Sequence, residues 1–224
     1  MAPGESQPRE DRTLDAIRER LAPAIAAAAV FDGWSADAVK QAADATGVDA
    51  DVAAYAFRGG AMEMIGAWIG HLDVAMAIAF PPEQLATLPV RERIRRLVRF
   101  RLDAQIGLEE ALSRALATMA LPRNAARAAR LGWRSADRMW RLAGDTATDY
   151  NHYTKRAILA AIYAATLSVF ASDESEGKAE TWAFLDRRIA GIMRFEKTKA
   201  ALLRRPEERF SMARFLGRLR YPAN

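Results

Sequence analysis

The sequence predicts an all-helical protein, and three observations support this fold class. Apolar residues recur at helical spacing through nearly the whole chain of 224 residues, alanine is abundant, and no segment shows the alternation that marks strands. The hydrophobic fraction of 51% is enough for a real core. Because there is no cysteine, disulfides, cysteine nucleophiles and thiolate metal sites are all excluded.

Residues 1–12 are predicted to be a disordered tail. They mix Pro, Gly, Ser and charges, without the apolar core of a signal peptide or the Arg-rich, acid-poor pattern of a transit peptide. We therefore expect a bacterial-type chain without a transit peptide, located in the cytoplasm and peripherally associated with the inner membrane.

Residues 13–80 are predicted to form a helix-turn-helix-like unit of three or four helices. In the first helix Pro23 is expected to introduce a kink or a division, and Gly33 to end it. Its apolar face is Leu14, Ile17, Leu21, Ile25 and Ala28. The remaining helices are predicted from Ser35 to Gly47, from Asp49 or Asp51 to about Phe57, and from Gly60 to Pro81.

The second helix of this unit is poorly suited to reading DNA. A DNA-reading helix presents cations or amides to phosphates and base edges. Here the segment carries Asp49 and Asp51 and has no cation before Arg58. We therefore expect no DNA binding, and a working repressor is the alternative interpretation.

Residues 89–195 are predicted to form a second helical domain. Two helices before Pro122, one ending near Gly144, one beginning at Thr148 or Asp149, and a penultimate helix after a polar loop at 173–177 are expected. The apolar positions that predict them are Ile94, Leu97, Val98, Leu102, Ile106, Leu112, Leu116, Met119, Leu131, Trp133, Met139, Trp140, Trp182, Leu185, Ile189 and Ile192. The uncharged run 157–170 is shorter than the ~20 residues of a bilayer span, so we expect a buried helix.

Catalytic and metal-binding patterns are missing from the sequence. The histidines are His71 and His152, and no nucleophile set, phosphate loop or paired metal motif accompanies them. Asp149 and His152 have the spacing of one half of a di-iron site, but such a site needs two copies. No catalytic residue, metal or cofactor is therefore predicted, and we expect a chain that is not an enzyme.

Residues 196–224 are predicted to be a basic amphipathic segment that contacts a membrane. Residues 194–224 contain nine basic and three acidic residues, and this segment accounts for essentially the whole basic excess of the chain. The membrane-contacting residues predicted from helical spacing are Arg209, Met212, Phe215, Leu216 and Leu219. The alternative is that the same apolar face packs back on the protein.

Two stretches resemble known families. Gly33-Trp34-Ser35, the helix to Gly47, the short helix to Phe57 and the long helix after it resemble the N-terminal unit of tetracycline-repressor-like regulators. Residues 119–195 closely resemble the ubiquinone-biosynthesis accessory family called Coq-nine. The residues that carry this second resemblance are Met119-Ala-Leu-Pro-x-Asn124, the run from Met139 to Tyr163, Asp173, and Thr181-Trp182-x-Phe-Leu-Asp-x-Arg188.

The second resemblance implies a repressor-like dimer that has lost DNA binding, encloses a lipid or isoprenoid tail, and helps the di-iron hydroxylase of demethoxyubiquinone obtain its substrate. It implies a phospholipid headgroup site at Lys155 and Arg156. It also implies a hydroxylase-docking surface made of Asp137, Met139, Trp140, Asp149, His152 and Tyr153. The family usually has Trp in place of His152 and Phe in place of Tyr150.

The residues themselves leave two alternatives open. Trp140 and Tyr153 could pack in the core, since aromatic residues at helical spacing commonly do, and Lys155-Arg156 could be a solvated helix edge. Our hypothesis is a homodimer that uses helices near 155–170 and 180–193 as its interface. An apolar chamber within residues 90–193 would then hold the lipid tail.

Overall fold

The computed structural model describes residues 13–145 and 150–203, and every regular element in them is helical. The α-helices of these residues are, in chain order, α1 (Leu14–Asp32), α2 (Ala36–Thr46), α3 (Ala50–Ala56), α4 (Ala61–Ala79), α5 (Pro82–Ala86), α6 (Val90–Asp103), α7 (Glu109–Ala120), α8 (Ala125–Leu142), α9 (Tyr150–Ser172) and α10 (Ala179–Leu203). The predicted all-helical class is confirmed. The tail at 1–12 lies outside the described residues.

The predicted helix starts of the N-terminal unit are confirmed. The Ser35 side chain accepts a hydrogen bond from the backbone N–H of Ala38, and Asp49 accepts from two N–H groups at the start of α3. Gly47 ends α2 in the left-handed conformation that favours glycine. Pro23 lies inside α1 and does not divide it, so the expected division is wrong.

The core of the N-terminal unit forms where α1 packs on α2 and α4. Leu21 and Ile25 are fully buried on α1, as predicted. Trp34, in the α1–α2 turn, lies 5.3 Å from Trp68 of α4 between ring centroids. Its indole N–H donates to the carbonyl of Ala111 at 2.9 Å, which ties this turn to α7. The two predicted domains therefore pack against each other.

The second domain differs from prediction at two places. Ile106 was expected on an apolar helix face, but α6 ends at Asp103 and Ile106 is 58% exposed in the following turn. Asp173 lies in the loop predicted at 173–177, but unlike the other residues of that loop it is buried. Its carboxylate accepts hydrogen bonds from the N–H and hydroxyl groups of both Ser175 and Thr181. Asp173 therefore joins the end of α9 to the start of α10.

A buried cation lies at the centre of the helical packing. Arg101 of α6 is 1% exposed and donates to the hydroxyls of Tyr163 at 3.0 Å and Ser135 at 3.2 Å. It also forms an ion pair with Asp73 of α4. Through these contacts Arg101 links α4, α6, α8 and α9, and its charge is compensated inside the core.

Two helical segments, Ala61–Ala79 and His152–Ser172, are long and apolar enough to cross a membrane by length and composition. Core helices of water-soluble proteins meet the same two criteria, and a third of each segment is buried within the protein. The uncharged run 157–170 lies inside α9 and buries one face, at Leu159, Ile162, Tyr163, Leu167 and Phe170. Residues up to Leu185 form one compact unit, and a second unit begins at Asp186.

Candidate functional site

Helices α8 and α9 pack against each other and are joined by a buried ion pair. The Arg156 Nε donates to Oδ1 of Asp137 at 2.6 Å, and the guanidinium is 2% exposed. The other Asp137 oxygen accepts from Arg141 one helical turn further along α8, at 2.7 Å. Asp137 therefore carries one cation on each carboxylate oxygen.

A second carboxylate completes this cluster. Asp145, just after α8, accepts from Arg156 Nη1 at 3.0 Å and from Lys155 Nζ at 2.7 Å. Asp145 is 8% exposed, so solvent screens its pair with the buried Arg156 little, whereas the pair with Lys155, which is 39% exposed, is screened more. We call Asp137, Asp145, Lys155 and Arg156 the α8–α9 ion cluster.

Both acids of the α8–α9 ion cluster have shifted pKa values. Burial raises the pKa of Asp137, but hydrogen bonds from Arg156 and Arg141 outweigh burial, so that pKa lies below its ordinary value. Asp145 follows the same pattern, with burial opposed by Lys155 and Arg156. Both carboxylates are therefore held in the charged form.

The cluster corrects the predicted headgroup site at Lys155 and Arg156. The Arg156 guanidinium is buried between two carboxylates, so its donors are already used within the protein. Lys155 keeps 39% of its side chain exposed, but it too is paired, with Asp145. Neither the predicted headgroup site nor the solvated-edge alternative describes Arg156.

The predicted docking residues fall into buried, half-buried and exposed positions. Met139 is fully buried, so its assignment to an exposed surface is wrong. Trp140 is half-buried, and its indole N–H donates to the Lys155 carbonyl at 3.0 Å while the Lys155 ammonium lies over its ring. Asp137 is mostly enclosed by Arg156 and Arg141. Asp149 lies outside the described residues.

The exposed part of the predicted surface is aromatic. Tyr153 of α9 is 61% exposed and stacks on Trp133 of α8, with 6.1 Å between centroids. The ring of His152 meets Tyr153 edge-on at 5.1 Å. We call these three residues the aromatic patch. From the sequence, Trp133 was predicted to lie on a helix but was not assigned to this surface. It lies two helical turns from Trp140, and this spacing could have indicated that both residues face α9.

A groove of about 930 Å³ runs beside this region, between α8 on one wall and α1 and α4 on the other. Five arginines of α8 line it: Arg127, Arg130, Arg134, Arg138 and Arg141. Sequence reasoning placed the basic excess at the C-terminus and missed them. Their spacing of 3, 4, 4 and 3 residues repeats with the helical turn and was readable from the sequence.

The remaining predicted site residues are not among those that the structure describes. The membrane-contacting residues Arg209, Met212, Phe215, Leu216 and Leu219 lie outside the described residues. Within residues 13–145 and 150–203, no three His, Cys, Asp or Glu side chains come together as a set that could hold a metal ion.

Part of this chain is similar to a known protein family. Residues 125–196 match the COQ9 family model. The chain is 33% identical over 189 residues to "Ubiquinone biosynthesis protein COQ9, mitochondrial" of Rattus norvegicus, covering 81% of this chain and 60% of that protein. The Homo sapiens protein of the same name is 30% identical over 202 residues, covering 87% of this chain and 63% of its own length. The chain thus spans about 60% of the length of these relatives.

A solved structure confirms the predicted repressor-like fold. The TetR transcriptional regulator from Nitrosomonas europaea ATCC 19718 superposes with a TM-score of 0.61 over 78% of this chain and 96% of that one. The two are 21% identical, so the likeness concerns the fold alone.

The names of the relatives contradict the predicted location. We expected a bacterial-type, cytoplasmic chain without a transit peptide, associated with an inner membrane. The rat, human, cattle and frog relatives are all named as mitochondrial. That prediction is therefore wrong. It was based on the composition of residues 1–12, whereas the names of the relatives indicate mitochondria.

Proposed function

Because residues 125–196 match the COQ9 family model, we propose that this chain is an accessory protein of ubiquinone biosynthesis that is not itself an enzyme. It binds a phospholipid or an isoprenoid quinone intermediate and presents that intermediate to the di-iron hydroxylase that acts on demethoxyubiquinone. The resemblance to relatives named for ubiquinone biosynthesis supports the pathway. The aromatic patch supports a docking role.

The single observation that carries the docking proposal is the exposed Tyr153 ring stacked on Trp133. Tyrosine and tryptophan are enriched in the energetic centres of protein interfaces because they bury a large rigid area at low entropic cost. The α8–α9 ion cluster lies directly behind, since Lys155 and Arg156 follow Tyr153 on the same helix. The cluster fixes the two helices that hold the patch.

The lipid is proposed to reach this surface from a bilayer. Residues 196–224 supply cations and apolar residues at helical spacing, which suits an interfacial helix. Anionic lipid would contribute about 1 kcal/mol for each nearby cation. An apolar chamber within residues 90–193 remains our proposal for the tail.

A homodimer is proposed to form through α9. From residue 157 onward, the exposed side chains of α9 are all small, namely Ala157, Ala161, Ala164, Ala165, Ser168 and Ser172. Small residues let two helices approach closely, so the face suits a second copy of α9.

The test is hydroxylation of demethoxyubiquinone in liposomes by purified hydroxylase, with and without this chain. The Tyr153→Ala variant should lower the stimulated rate by roughly tenfold, as expected for loss of an interface anchor worth more than about 1.4 kcal/mol. Tyr55→Ala is the matched control, because Tyr55 is 54% exposed on α3, away from the patch. Equal rates for the two variants would remove the docking assignment.

A further inference from the structure

The groove between α1, α4 and α8 has a strongly cationic wall. The five arginines of α8 that line it extend from Arg127 to Arg141, which is about 21 Å at the rise of an α-helix. The same helix carries one acidic residue, Asp137. A wall of this kind requires counter-charge from the protein, from solvent ions or from a ligand.

The acids of the groove do not supply that counter-charge. Asp73 is paired with Arg101, and Asp137 with Arg156 and Arg141. Asp15 and Glu63 are both paired with Arg18 on the opposite wall. This leaves Glu19 among the carboxylates lining the groove without an ion pair inside the described part of the chain.

Three exposed arginines of the wall, Arg127, Arg134 and Arg138, form no ion pair within residues 13–145 and 150–203. Arg130 donates to the Ala126 carbonyl of its own helix. The groove therefore holds more cation than its own acids neutralise.

The two ends of the groove differ in charge. Gly66 of α4 lies opposite Leu131, since a Cβ on Gly66 would stand 3.7 Å from its side chain. Further along, Arg101 contacts both Asp73 and Ser135, so α4 and α8 advance in the same direction here. The acidic residue Glu63 therefore lies toward Arg127, at the start of both walls.

The other end of the groove is cationic with a small-residue floor. Arg134 and Arg138 lie on either side of Ser135 on α8, and α4 contributes Gly70 and His71 to the same groove. A Cβ added at Gly70 would meet nothing within 4 Å, which shows open space beside the helix. Arg134 and Arg138 line the same groove as Gly70.

We infer that Arg134 and Arg138 form a binding site for a compact phosphate group. Residues four apart on a helix are neighbours, so both guanidiniums can meet one phosphate, and each offers a planar pair of donors that matches phosphate oxygens. Asp15 and Glu63 at the opposite end are already paired with Arg18. Arg134 and Arg138 therefore provide the neighbouring cations of the groove that one phosphate can compensate.

The phosphate can belong to a phospholipid headgroup or to a free phosphorylated molecule, and the chemistry at the arginines is the same. If it belongs to a lipid, the inference rests on the proposed function and moves the headgroup site from Arg156 to the α8 wall. Gly66, Ala67, Gly70 and Val74 would then lie beside the start of the acyl chains.

The experiment measures binding to the full chain by isothermal titration calorimetry, with two probes. One is glycerol 3-phosphate, and the other is dihexanoyl phosphatidic acid below its micelle concentration. The test variant is R134Q/R138Q. The control is R91Q/R123Q, which removes the same charge from exposed arginines that do not line the groove.

The expected result is a rise of about tenfold or more in Kd for R134Q/R138Q, the loss of at least one charge-assisted bond, with R91Q/R123Q like wild type. Tighter binding of the lipid probe than of glycerol 3-phosphate would identify a headgroup site, and equal binding a free-phosphate site. Equal Kd values for the two variants, or no binding of either probe to wild type, would overturn the inference. Neither probe carries an isoprenoid chain and no hydroxylase is present, so this result is independent of the hydroxylation assay.

Discussion

The guanidinium of Arg156 and the carboxylate of Asp137 meet at 2.6 Å between helices α9 and α8, and the cation is almost completely buried. Such a pair stabilises only as long as both charges are present, because the remaining partner would be left desolvated and unpaired. This relationship makes Arg156 a structural residue of the segment that matches the COQ9 family model.

Arg156→Met should destabilise the protein by about 3–5 kcal/mol, since it leaves Asp137 and Asp145 without their buried partner. Lys155→Met should cost less than about 1 kcal/mol, because that side chain is 39% exposed and its ion pair is screened by solvent. Urea unfolding followed by circular dichroism compares the two. Similar losses in both variants would contradict the assignment of Arg156 to the interior.

Stability should fall in acid through the same carboxylates. The pKa values of Asp137 and Asp145 are lowered in the folded chain, so their contribution is fully present above the ordinary aspartate pKa of about 4. As the pH falls below about 4, the unfolded chain takes up protons first and that contribution is lost. Urea midpoints at pH 7, 5 and 3 measure this, and the fall from pH 5 to 3 should be smaller in D137N/D145N.

Asp173→Ala should destabilise the connection between α9 and α10. The Asp173 carboxylate accepts hydrogen bonds from the N–H and hydroxyl of Thr181. Burial raises the pKa of Asp173, but the hydrogen bonds outweigh burial and hold that pKa below its ordinary value. Loss of a buried helix cap of this kind lowers the free energy of unfolding by about 2 kcal/mol. The Asp49→Ala change, which removes an exposed cap, should lower it by about 1 kcal/mol or less. Thermal unfolding of both variants gives the comparison, and an equal or larger shift for Asp49→Ala would argue against this role.

Ala161→Arg should convert the proposed dimer to a monomer. Ala161 lies in the middle of the small-residue face of α9 and is exposed, so an arginine can be accommodated in the single chain but would separate two copies. Native mass spectrometry reports the oligomer. Ala117→Arg, on the exposed side of α7, is the control, and dimer in both variants would exclude α9 as the interface.

Truncation after Arg205 should weaken binding to anionic liposomes. The removed segment carries Arg209, Arg214, Arg218 and Arg220 with apolar residues between them, and a basic amphipathic helix binds anionic lipid by charge and apolar burial together. Flotation with phosphatidylserine-containing vesicles measures the effect, and circular dichroism checks that the helical content is kept. Unchanged flotation would place membrane contact elsewhere.

The order of helices was predictable because caps and apolar spacing act locally. Ser35, Gly47 and Asp49 specify the ends of α2 and α3 through bonds within four residues. Pro23 misled the prediction, because a continuous helix can keep a proline when packing on neighbouring helices stabilises it. Tertiary packing of α1 on α2 and α4 overrides that local preference.

The chemistry of the site was harder to predict, because it depends on which helices meet. The sequence shows Lys155 and Arg156 as adjacent cations but not that Asp137 and Asp145 enclose Arg156. Partners 19 and 11 residues away become neighbours only when α8 and α9 pack. Likewise Met139 is next to the half-buried Trp140 in the sequence, and that it is fully buried depends on how α8 packs on its neighbouring helices.

The bond from Trp34 to Ala111 has a mechanical consequence. Together with the Arg114 guanidinium, which donates to the Phe31 carbonyl at 3.0 Å, it anchors the α1–α2 turn to α7 at two points. A hinge between the first three helices and the rest of this unit would have to break both bonds and separate the Trp34 and Trp68 rings, which contact each other at a tilt. We therefore expect the spacing between the two walls of the arginine-lined groove to stay fixed. A ligand there would bind a preformed cleft, without a domain closure.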